Sequence, residues 1–572
     1  MILQALNDYY ERLLADPDAD VPEFGFGLQA VHFALALDRK GNLVGRPLDL
    51  RDEKGRPQRI EVPGPMVRTV GVVPNFAWDN TGYVLGADDK GKPARTAQSH
   101  AAFKALAAAA LDGVDDEGAA ALLAFLADWD PARAPELPDW DKAIGLNLVF
   151  TLDGEPGYLH DRPAFRDAWL RHLAESSDAE KGMCLVTGEV GPIPPTHAKI
   201  KGVIGAQTSG ASLVSFNFDA AKSFGKEQNL NAPISERAAF AYATALNHLL
   251  APESPRKLRV GETTVLFWTD APGQAEPLFN LAMGGKPAED EDQARRLEGY
   301  LAAVARGKYP EELGDAKTPF YVLGLSPNAA RLSVRFWHVG TVGGMAERLG
   351  RHYRALALER RFDSDPEHPT PWQLLRDLAP QRDSRNLSPL LFGQFVRSIV
   401  QGLPYPQTLL SAALGRIRAD KEINYLRTAV IKAFLVRNHD NEEITMSLNK
   451  NNRETGYLLG RLFATLERTQ HAALGNVNAS VRDKYFASAA ATPGLVFPIL
   501  IRNAQNWLSK IAKDKGGLAR FYDGIITEVV GSLDDAKGYP GTLPIREQGL
   551  FTIGYYQQMQ DFYTKKEKNT ED

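Results

Sequence analysis

The sequence predicts an α+β fold, in which a mixed α/β N-terminal part with one or more sheets precedes an all-α C-terminal helical bundle. Before about residue 370, short apolar or alternating runs are separated by Gly and Pro, as is typical of strands. From about residue 373 onward these runs stop, Gly and Pro become less frequent, and apolar residues recur with helical spacing. Because 572 residues exceed what one hydrophobic core organises, we predict several domains.

Residues 1–128 are predicted to combine helices with short strands. Residues 1–14, MILQALNDYYERLL, have helical apolar spacing, and their charged side chains are incompatible with the apolar region of a secretory signal. Edges of a sheet are predicted in FALALD, LVGRPLDL and RIEVPG. The stretch VRTVGVVPNFAWDNTGYVLG is interpreted as strand, loop and strand, and the Ala-rich residues 97–128 as a pair of surface helices.

The middle of the chain alternates predicted strands with one clear helix. A hairpin with an Asp-Gly turn is predicted in NLVFTLDGEPGYLHD, and a buried strand in CLVTGE. A helix is predicted in SERAAFAYATALNHLLA and another strand in TTVLFWTD. The stretch FYVLGLSPNAARLSVRFWHVG predicts two strands joined through LSPNAA.

The C-terminal part is predicted to be entirely helical. Its helices are expected in PLLFGQFVRSIVQ, QTLLSAALGRIRA, INYLRTAVIKAFLVRN, TGYLLGRLFATLERTQ, VFPILIRNAQNWLSKIAK and GLARFYDGIITEVVGSL. The polar, Pro-containing stretch RRFDSDPEHPTPWQ is typical of a domain boundary. We therefore predict a mixed α/β domain over 1–372, a helical connecting segment over 373–445 and a helical bundle over 446–572.

Composition narrows the class of protein. The overall net charge of −5 does not indicate nucleic-acid binding. A local basic patch is nevertheless sufficient for a protein to bind nucleic acid. Cys184 is the only cysteine, which excludes a disulfide framework and a CxxC metal site and fits a reducing compartment. No stretch of about 18 uncharged apolar residues occurs. We expect a cytoplasmic protein with no membrane partner.

Three short motifs resemble enzyme sites without completing one. GADDKGKP nearly matches a phosphate-binding loop, but Pro93 replaces the hydroxyl residue, so we interpret the stretch as a hairpin turn with no helix after it. GAQTSGAS lacks the G-x-S-x-G nucleophile pattern. His439-Asp440 is half of a metal dyad, while the other histidines occur singly. We expect no catalytic residue, no metal and no cofactor.

Residues 199–217, KIKGVIGAQTSGASLVSFN, place two lysines before a run of small and hydrogen-bonding residues. Backbone N–H groups of such a loop can form an anion-binding concavity that the lysines reinforce. The alternative is a tight crossover whose glycines only permit positive φ. The candidate contacts for phosphate, ribose or base edges are Lys199, Lys201, Gln207, Ser209, Ser212 and, shortly after the loop, Lys226.

Two further candidates lie on either side of this loop in the sequence. In LSPNAARLSVRF, strand alternation is expected to place Arg331 and Arg335 on one face, near Asn328 at the turn. Ordinary surface charge is the alternative. In GVVPNFAWDN, Asn75 can read a base edge or simply close an Asx-turn.

The last helices carry a basic pattern. Counted at 100° per residue, Arg453, Arg461 and Arg468 fall within about 80° of one another, opposite the leucines of the same helix. Residues 446–572 hold 16 Lys and Arg against 13 Asp and Glu in a chain that is negative overall. A phosphate-tracking surface and a solvated helix face both fit this pattern. Further cations proposed for it are Arg482, Lys484 and Lys510.

An ordered series of long motifs resembles a known family. The motifs are MILQALNDYYERL, GVVPNFAWDNTGYVLG, CLVTGEVGPIPPTHAKIKGVIGAQTSGASLVSFN, GKEQNLNAPISERAAFAYATALNHLL, FYVLGLSPNAARLSVRFW and the closing LFTIGYYQQMQDFY. Together they resemble the large subunit of the type I-C CRISPR–Cas interference complex (Cascade), from residue 1 to about 560.

The resemblance implies a subunit without catalytic activity in a crRNA-guided surveillance complex. Such a subunit recognises the protospacer-adjacent motif (PAM) on duplex DNA, helps to open the duplex, holds the displaced non-target strand and recruits a helicase-nuclease. The implied partners are crRNA, target DNA, the backbone subunits, the crRNA-handle subunit and small subunits.

Carried onto this sequence, the resemblance makes Asn75 and the 199–217 loop candidates for the PAM-proximal duplex and the crRNA handle. Arg331 and Arg335 become candidates for the backbone near the opened duplex, and the bundle arginines candidates for the non-target strand.

The resemblance also implies a separate small subunit made by internal translation initiation, for which Met446 is the predicted start. Two other functions stay open. One is a purely structural scaffold subunit of the same kind of complex. The other is a metal-dependent nuclease that uses His439 and Asp440 with the nearby Glu442 and Glu443.

Overall fold

The computed structural model describes residues 1–64, 71–176, 179–285, 290–383, 386, 388–439, 444–475, 477–533 and 538–563. The chain divides into two compact units. The first unit comprises Met1–Ile200 and Val214–His248, and the second comprises Lys201–Leu213 and Leu249–Asp572. The segment of small residues singled out in the sequence therefore contributes residues 201–213 to the second unit.

The described residues of the first unit form three small sheets and several helices. Its strands are β1 (Phe26–Val31), β2 (Phe33–Leu37), β3 (Leu48–Asp49), β4 (Gln58–Pro63), β5 (Asp79–Asn80), β6 (Asn147–Leu152), β7 (Lys181–Met183) and β8 (Val190–Pro192). Its helices are α1 (Ile2–Leu14), α2 (Thr81–Val84), α3 (Pro93–Ala110), α4 (Glu117–Asp128), α5 (Trp140–Ala143), α6 (Pro163–Ser176) and α7 (Glu236–Leu249), the last of which ends at the unit boundary.

The main sheet of the first unit has the strand order β3-β2-β6-β5, with β2 and β6 parallel. Parallel strands need a long crossover, and here it contains α3 and α4. Buried Phe103, Leu122 and Phe125 from those helices pack in one core with Leu35 and Phe150 from the strands. Each of the two Ala-rich helices thus buries one apolar face.

The second unit contains one antiparallel sheet followed by helices. The sheet has the order β12-β11-β10-β9, formed by β9 (Lys257–Val260), β10 (Thr263–Thr269), β11 (Pro319–Asn328) and β12 (Arg331–Thr341). The helices are α8 (Ala275–Met283), α9 (Glu291–Ala305), α10 (Val342–Leu356), α11 (Pro371–Leu378), α12 (Pro389–Gln401), α13 (Gln407–Asp420), α14 (Tyr425–His439), α15 (Thr455–Leu474), α16 (Val481–Ala491), α17 (Pro493–Asp514), α18 (Gly516–Gly531) and α19 (Ile545–Tyr563).

One continuous hydrophobic core joins the sheet and the helices of the second unit. It runs from Leu258 in β9 to Tyr556 in α19. At its centre, α15 is buried on all sides over residues 456–467. The predicted domain boundaries at 372 and 445 both fall within the stretch that this core spans, and they stay predictions.

The predicted α+β class, with sheets in the N-terminal half and a helical C-terminal region, is confirmed. All six predicted C-terminal helices form, and α12 coincides with the predicted PLLFGQFVRSIVQ. The predicted helix 235–251, the strand 263–270 and the strand pair 320–340 also form.

A predicted hairpin and a predicted strand are wrong for identifiable reasons. No hairpin follows β6, because both of its edges are already occupied by β2 and β5; the chain instead turns at Gly154 (φ +80°) and continues into a 3-10 turn. CLVTGE is not a buried strand but the turn that joins β7 to β8. The Cys184 N–H donates to the Glu189 carbonyl (2.8 Å), and the Gly188 N–H donates to the Cys184 carbonyl (2.8 Å).

A strand and a hairpin turn predicted near residue 80 are also wrong. TGYVLG forms the short helix α2 instead of a strand, since the Asn80 side chain caps it by accepting from the Gly82 N–H. GADDKGKP is a connection between α2 and α3, and Pro93 begins α3 at the first helical position, where proline is favoured. Residues 67–70, which begin the first strand predicted in VRTVGVVPNFAWDNTGYVLG, lie outside the described residues.

Within the described ranges, no helix is both long and apolar enough to cross a membrane.

Candidate nucleic-acid interface

The loop 201–213 and the β11–β12 hairpin, far apart in sequence, form one surface of the second unit, here called the hairpin surface. The Ser212 N–H donates to the Ala330 carbonyl (3.0 Å), and the Leu332 N–H donates to the Ser212 carbonyl (2.9 Å). This parallel bridge pairs Ser212 with Arg331. Two stretches that the sequence singled out separately are therefore adjacent.

Glycines shape the loop of the hairpin surface. Gly202 (φ +86°) and Gly210 (φ +93°) have left-handed backbone, and a Cβ on Gly202 would lie 2.7 Å from the Leu250 carbonyl oxygen. Between them the loop makes two turns, one of which is closed by the Gly210 N–H donating to the Gln207 carbonyl (2.9 Å). The glycines thus satisfy the crossover interpretation, since only glycine fits these positions without strain.

The loop presents polar side chains to solvent at the same time. Lys201, Gln207 and Ser209 are exposed, and the loop is anchored underneath by the Ile204 N–H donating to Thr264 Oγ1 (3.2 Å). Ser212 departs from the prediction: it is 6% exposed and its backbone is used in the bridge to the hairpin. The prediction that the Ser212 side chain contacts a phosphate is therefore wrong, because the side chain is buried.

The hairpin adds two arginines and an asparagine to this surface. Asn328 and Arg335 are exposed and Arg331 is half-buried, and the Arg335 Nε donates to Ser326 Oγ (2.5 Å). A β-bulge places Arg335 outside the regular pairing, between the partners of Gly324 and Leu325. The strict alternation on which the expectation of one common face rested is therefore broken at Arg335.

The first unit carries two exposed candidates of its own. Lys199 is exposed, and its carbonyl accepts from the Asn247 side chain (3.3 Å). Lys226 is exposed at the end of a turn in which its N–H donates to the Ser223 carbonyl (2.9 Å). The nearby Lys222 is engaged by two carboxylates, Asp219 (3.3 Å) and Glu227 (3.1 Å).

Asn75 is buried, which contradicts its selection as a base-reading side chain. It is 4% exposed, and its N–H donates to Asp79 Oδ2 (2.9 Å). The flanking Phe76 stacks on Trp169 with 5.4 Å between ring centroids, and the Trp78 Nε1–H donates to the Pro63 carbonyl (2.9 Å). The aromatic residues around Asn75 therefore belong to the core, and the Asx-turn proposed for Asn75 stays a prediction.

The expected solvent-facing row of arginines on α15 is wrong. Arg453 lies before the helix begins, and its guanidinium donates to the Lys450 carbonyl (2.7 Å). Arg461 is buried, where it donates to Gln558 Oε1 (3.1 Å) and pairs with Glu528 (3.0 Å). Arg468 is half-buried, and its guanidinium lies over the Tyr563 ring at 5.0 Å.

A further basic face lies on α17. Arg502, Lys510 and Lys513 are exposed, and at 100° per residue they fall within about 80° of one another. Of the cations proposed for the bundle surface, Lys510 is thus on an exposed basic face, while Arg482 and Lys484 line a separate cleft described below.

Nothing in the described part of the chain groups three or more His, Cys, Asp or Glu side chains in a way that could hold a metal ion. His439 ends α14, and its ring lies 6.1 Å from that of Phe434. Its proposed partners Asp440, Glu442 and Glu443 lie outside the described residues. The nuclease alternative therefore stays untested.

The fold and these surfaces define an α+β protein that presents exposed cations on both units. The model of the CRISPR-associated protein (Cas_Csd1) family matches residues 6–563, nearly the whole chain, and the chain belongs to this family. No curated protein matches the chain.

Proposed function

We propose that the chain is the large subunit of a type I-C crRNA-guided DNA surveillance complex and has no catalytic role of its own. In this role it recognises the PAM on duplex DNA, promotes opening, holds the displaced non-target strand and helps to recruit the helicase-nuclease. Its partners are crRNA, target DNA, the backbone, crRNA-handle and small subunits of Cascade, and the recruited helicase-nuclease. Membership of the CRISPR-associated family supports the setting.

The hairpin surface is the observation that carries the proposal. It combines an ammonium group on Lys201, amide and hydroxyl donors on Gln207 and Ser209, and a guanidinium on Arg335. These groups suit phosphate oxygens and base edges, and the bridge between Ser212 and Arg331 holds their two segments together. In such complexes the protein reads the short motif and base pairing reads the remaining sequence.

The test is binding of target DNA by the complex assembled with crRNA. We expect the Lys199→Ala/Lys201→Ala variant to lose affinity for duplex target that carries the PAM and to retain affinity for single-stranded target. Lys54→Ala, an exposed lysine in a turn of the first unit, is the control. Co-purification with the complex checks folding. If the double variant binds both targets as the wild type does, the lysines have no role in holding duplex DNA.

Two alternatives make different predictions. A scaffold subunit that contacts only protein would leave the salt dependence of DNA binding unchanged in these variants, whereas each lost phosphate contact lowers the slope by about 0.9. A nuclease would cleave DNA when the isolated chain is supplied with Mg²⁺, Mn²⁺ or Zn²⁺. Absence of cleavage with all three ions would exclude the nuclease alternative.

A further inference from the structure

The second unit contains a cleft lined by five cationic side chains. Two cavities of about 160 Å³ and 210 Å³ adjoin there and share Lys421, Ile423 and Arg482 in their walls. The cations come from separate stretches of the chain: one precedes α11, two lie at the end of α13 and two are in α16. They are Arg361, Arg418, Lys421, Arg482 and Lys484, and we call the site the basic cleft.

The acidic side chains in the cleft walls are already engaged by other groups of the chain. Asp365 accepts from two backbone N–H groups at 3.1 and 3.0 Å. Glu422 is paired with Arg382 (2.8 Å), and Asp483 accepts from the N–H and hydroxyl of Ser480, both at 2.9 Å. Among the described residues of its walls, three engaged carboxylates therefore face five cations, which gives the cleft a net positive charge.

The cations are less completely engaged. The Arg482 guanidinium is half-buried and interacts with the Tyr555 hydroxyl, and its Nε lies 4.0 Å from carboxylate oxygens of Glu467 and Asp483. Lys421 and Lys484 are exposed. Lys421 also has left-handed backbone (φ +55°), which fixes it directly after α13. The ammonium groups of Lys421 and Lys484 are therefore accessible to an anion from outside the chain.

An aromatic side chain lies at the edge of the same cleft. Phe362 is 58% exposed and lines the smaller of the two cavities, and the Arg361 guanidinium lies 5.1 Å from its ring centroid. Cations that contact phosphates beside an exposed aromatic face that stacks on a base are the combination used by proteins that bind single-stranded nucleic acid. A purely anionic protein segment would make no use of the exposed ring.

We propose that the basic cleft binds the phosphates of single-stranded polynucleotide and that Phe362 stacks on one of its bases. Arg482 and Lys421 stand at the centre of the site, because they line both cavities. The proposal deepens the proposed function, on which it rests, by placing a segment of the displaced strand here.

The cleft is assembled from both sides of the predicted internal start. Arg361, Arg418 and Lys421 precede Met446, whereas Arg482 and Lys484 follow it. A product that begins at Met446 would therefore carry only two of the five cations. Only the full-length chain can form the complete site.

Binding of a fluorescent oligothymidylate by the full-length chain tests the proposal, with affinity measured by anisotropy at several salt concentrations. We expect Lys421→Ala/Lys484→Ala to weaken binding at least tenfold and to lower the salt slope by about 1.4, at about 0.7 per single-strand contact. Phe362→Ala is expected to weaken binding about fivefold or more without changing the slope. The control Lys308→Ala/Lys317→Ala removes the same charge from exposed positions elsewhere.

Unchanged affinity in both cleft variants would overturn the proposal. A second result would also overturn it: the cleft binds inorganic phosphate or a free mononucleotide, while the substitutions leave the affinity for oligothymidylate unchanged. The cleft would then be a site for a small anion. A second experiment, which measures PAM-dependent binding of duplex DNA by the assembled complex, distinguishes a failure of the cleft proposal from a failure of the proposed function. If PAM dependence is absent while the cleft variants still lose oligothymidylate, the cleft stands and the proposed function fails.

Discussion

Gly460 of α15 packs directly against the backbone of Phe551 in α19, so closely that a Cβ on Gly460 would collide with the Phe551 carbonyl oxygen. Gly554 of α19 makes the reciprocal contact with the Tyr457 carbonyl oxygen. Small residues on both helices thus let the two backbones meet, and α15 becomes enclosed by its neighbours. This packing explains why the expected arginine row of α15 does not face solvent.

Gly460→Ala should therefore destabilise the second unit. The added methyl group meets backbone atoms that cannot rotate away, so we expect the free energy of unfolding to fall by about 2–3 kcal/mol, as for overpacked cores. Gly524→Ala in α18, where no atom lies within 4 Å of the added Cβ, should instead gain about 0.5–1 kcal/mol from helix propensity. Urea denaturation of both variants measures the contrast, and equal effects would contradict it.

Substitution of two cations of the bundle should have opposite effects: Arg461→Ala should lower stability, whereas Lys510→Ala should lower only the affinity for nucleic acid. Arg461→Ala leaves a cavity and removes the hydrogen bond to Gln558, so we expect a loss of about 2–3 kcal/mol in unfolding free energy. Lys510→Ala removes an exposed charge from α17 and should leave stability within about 0.5 kcal/mol of wild type.

In oligothymidylate binding, Lys510→Ala should lower the salt slope by about 0.7 if the α17 face contacts the strand. Thermal unfolding and anisotropy on the same preparations test both statements. An Arg461→Ala protein with wild-type stability would show that the contacts of Arg461 with Gln558 and Glu528 contribute nothing.

The helices were the most predictable part of the fold, because their signal is local. A 3.6-residue apolar period and caps such as Ser480 and Thr370 are contained within a few turns of sequence. Strand pairing was less predictable, since it depends on which edges the rest of the chain occupies. The Asp153-Gly154 turn is real, for example, yet β6 already has two neighbours.

The candidate site shows the same division. Exposed Lys199, Lys201 and Gln207 could be selected from composition, and they are exposed. The burial of Asn75 and Arg461 could not be foreseen, because polar residues acquire buried positions through partners distant in sequence, here Gln558 and Glu528 for Arg461. The basic cleft was equally hidden, since α16 meets the end of α13 only in the folded unit.

Lys432 should make stability depend on alkaline pH. Burial lowers the pKa of Lys432 to about 8, and its Nζ donates to the Ala355 carbonyl (3.0 Å). Between pH 8 and about 10.5 the unfolded chain keeps this proton while the folded chain releases it, so this residue makes stability rise with pH there. Lys432→Met should therefore be more stable than wild type by about 1–2 kcal/mol at pH 7, after allowing for the lost hydrogen bond.

The advantage of Lys432→Met should shrink as the pH rises from 8 to 10. Urea denaturation at several pH values measures the difference between the two proteins, which cancels the titration of other groups. A difference that stays constant from pH 7 to 10 would contradict a lowered pKa for Lys432.

Phe224 is held in a strained and fully exposed position. It is 99% exposed, and with Gly225 it forms the centre of a turn in which both residues have positive φ (+52° and +71°). Asn tolerates this backbone better than a bulky residue, so Phe224→Asn should stabilise the first unit by about 1 kcal/mol. Phe218→Asn, at an ordinary φ of −140°, should give no such gain. Calorimetry measures the change in unfolding temperature of both variants. Equal changes for Phe224→Asn and Phe218→Asn would contradict the statement that the backbone at Phe224 is strained.

Internal initiation at Met446 predicts a second product from the same gene, which an antibody to the C-terminus detects. Met446→Leu should abolish the short product and leave the full-length chain stable, because Met446 is exposed and its carbonyl, which accepts from the Glu359 N–H (3.1 Å), is unchanged by the substitution. Met559→Leu is the matched control. Persistence of the short band in Met446→Leu would exclude this start.

The folded chain also predicts how the short product behaves. In the full-length protein, Gly549 of α19 packs against Ile431 and Leu435 of α14, and the Tyr556 hydroxyl donates to the Glu359 carbonyl (3.0 Å). A product from residue 446 lacks these partners and exposes the face of α19 that they cover. We therefore expect the isolated fragment to self-associate or to be recovered with other subunits, as sedimentation would show, because exposed apolar faces of this kind favour association. A stable monomer at micromolar concentration would mean that α19 repacks within the fragment.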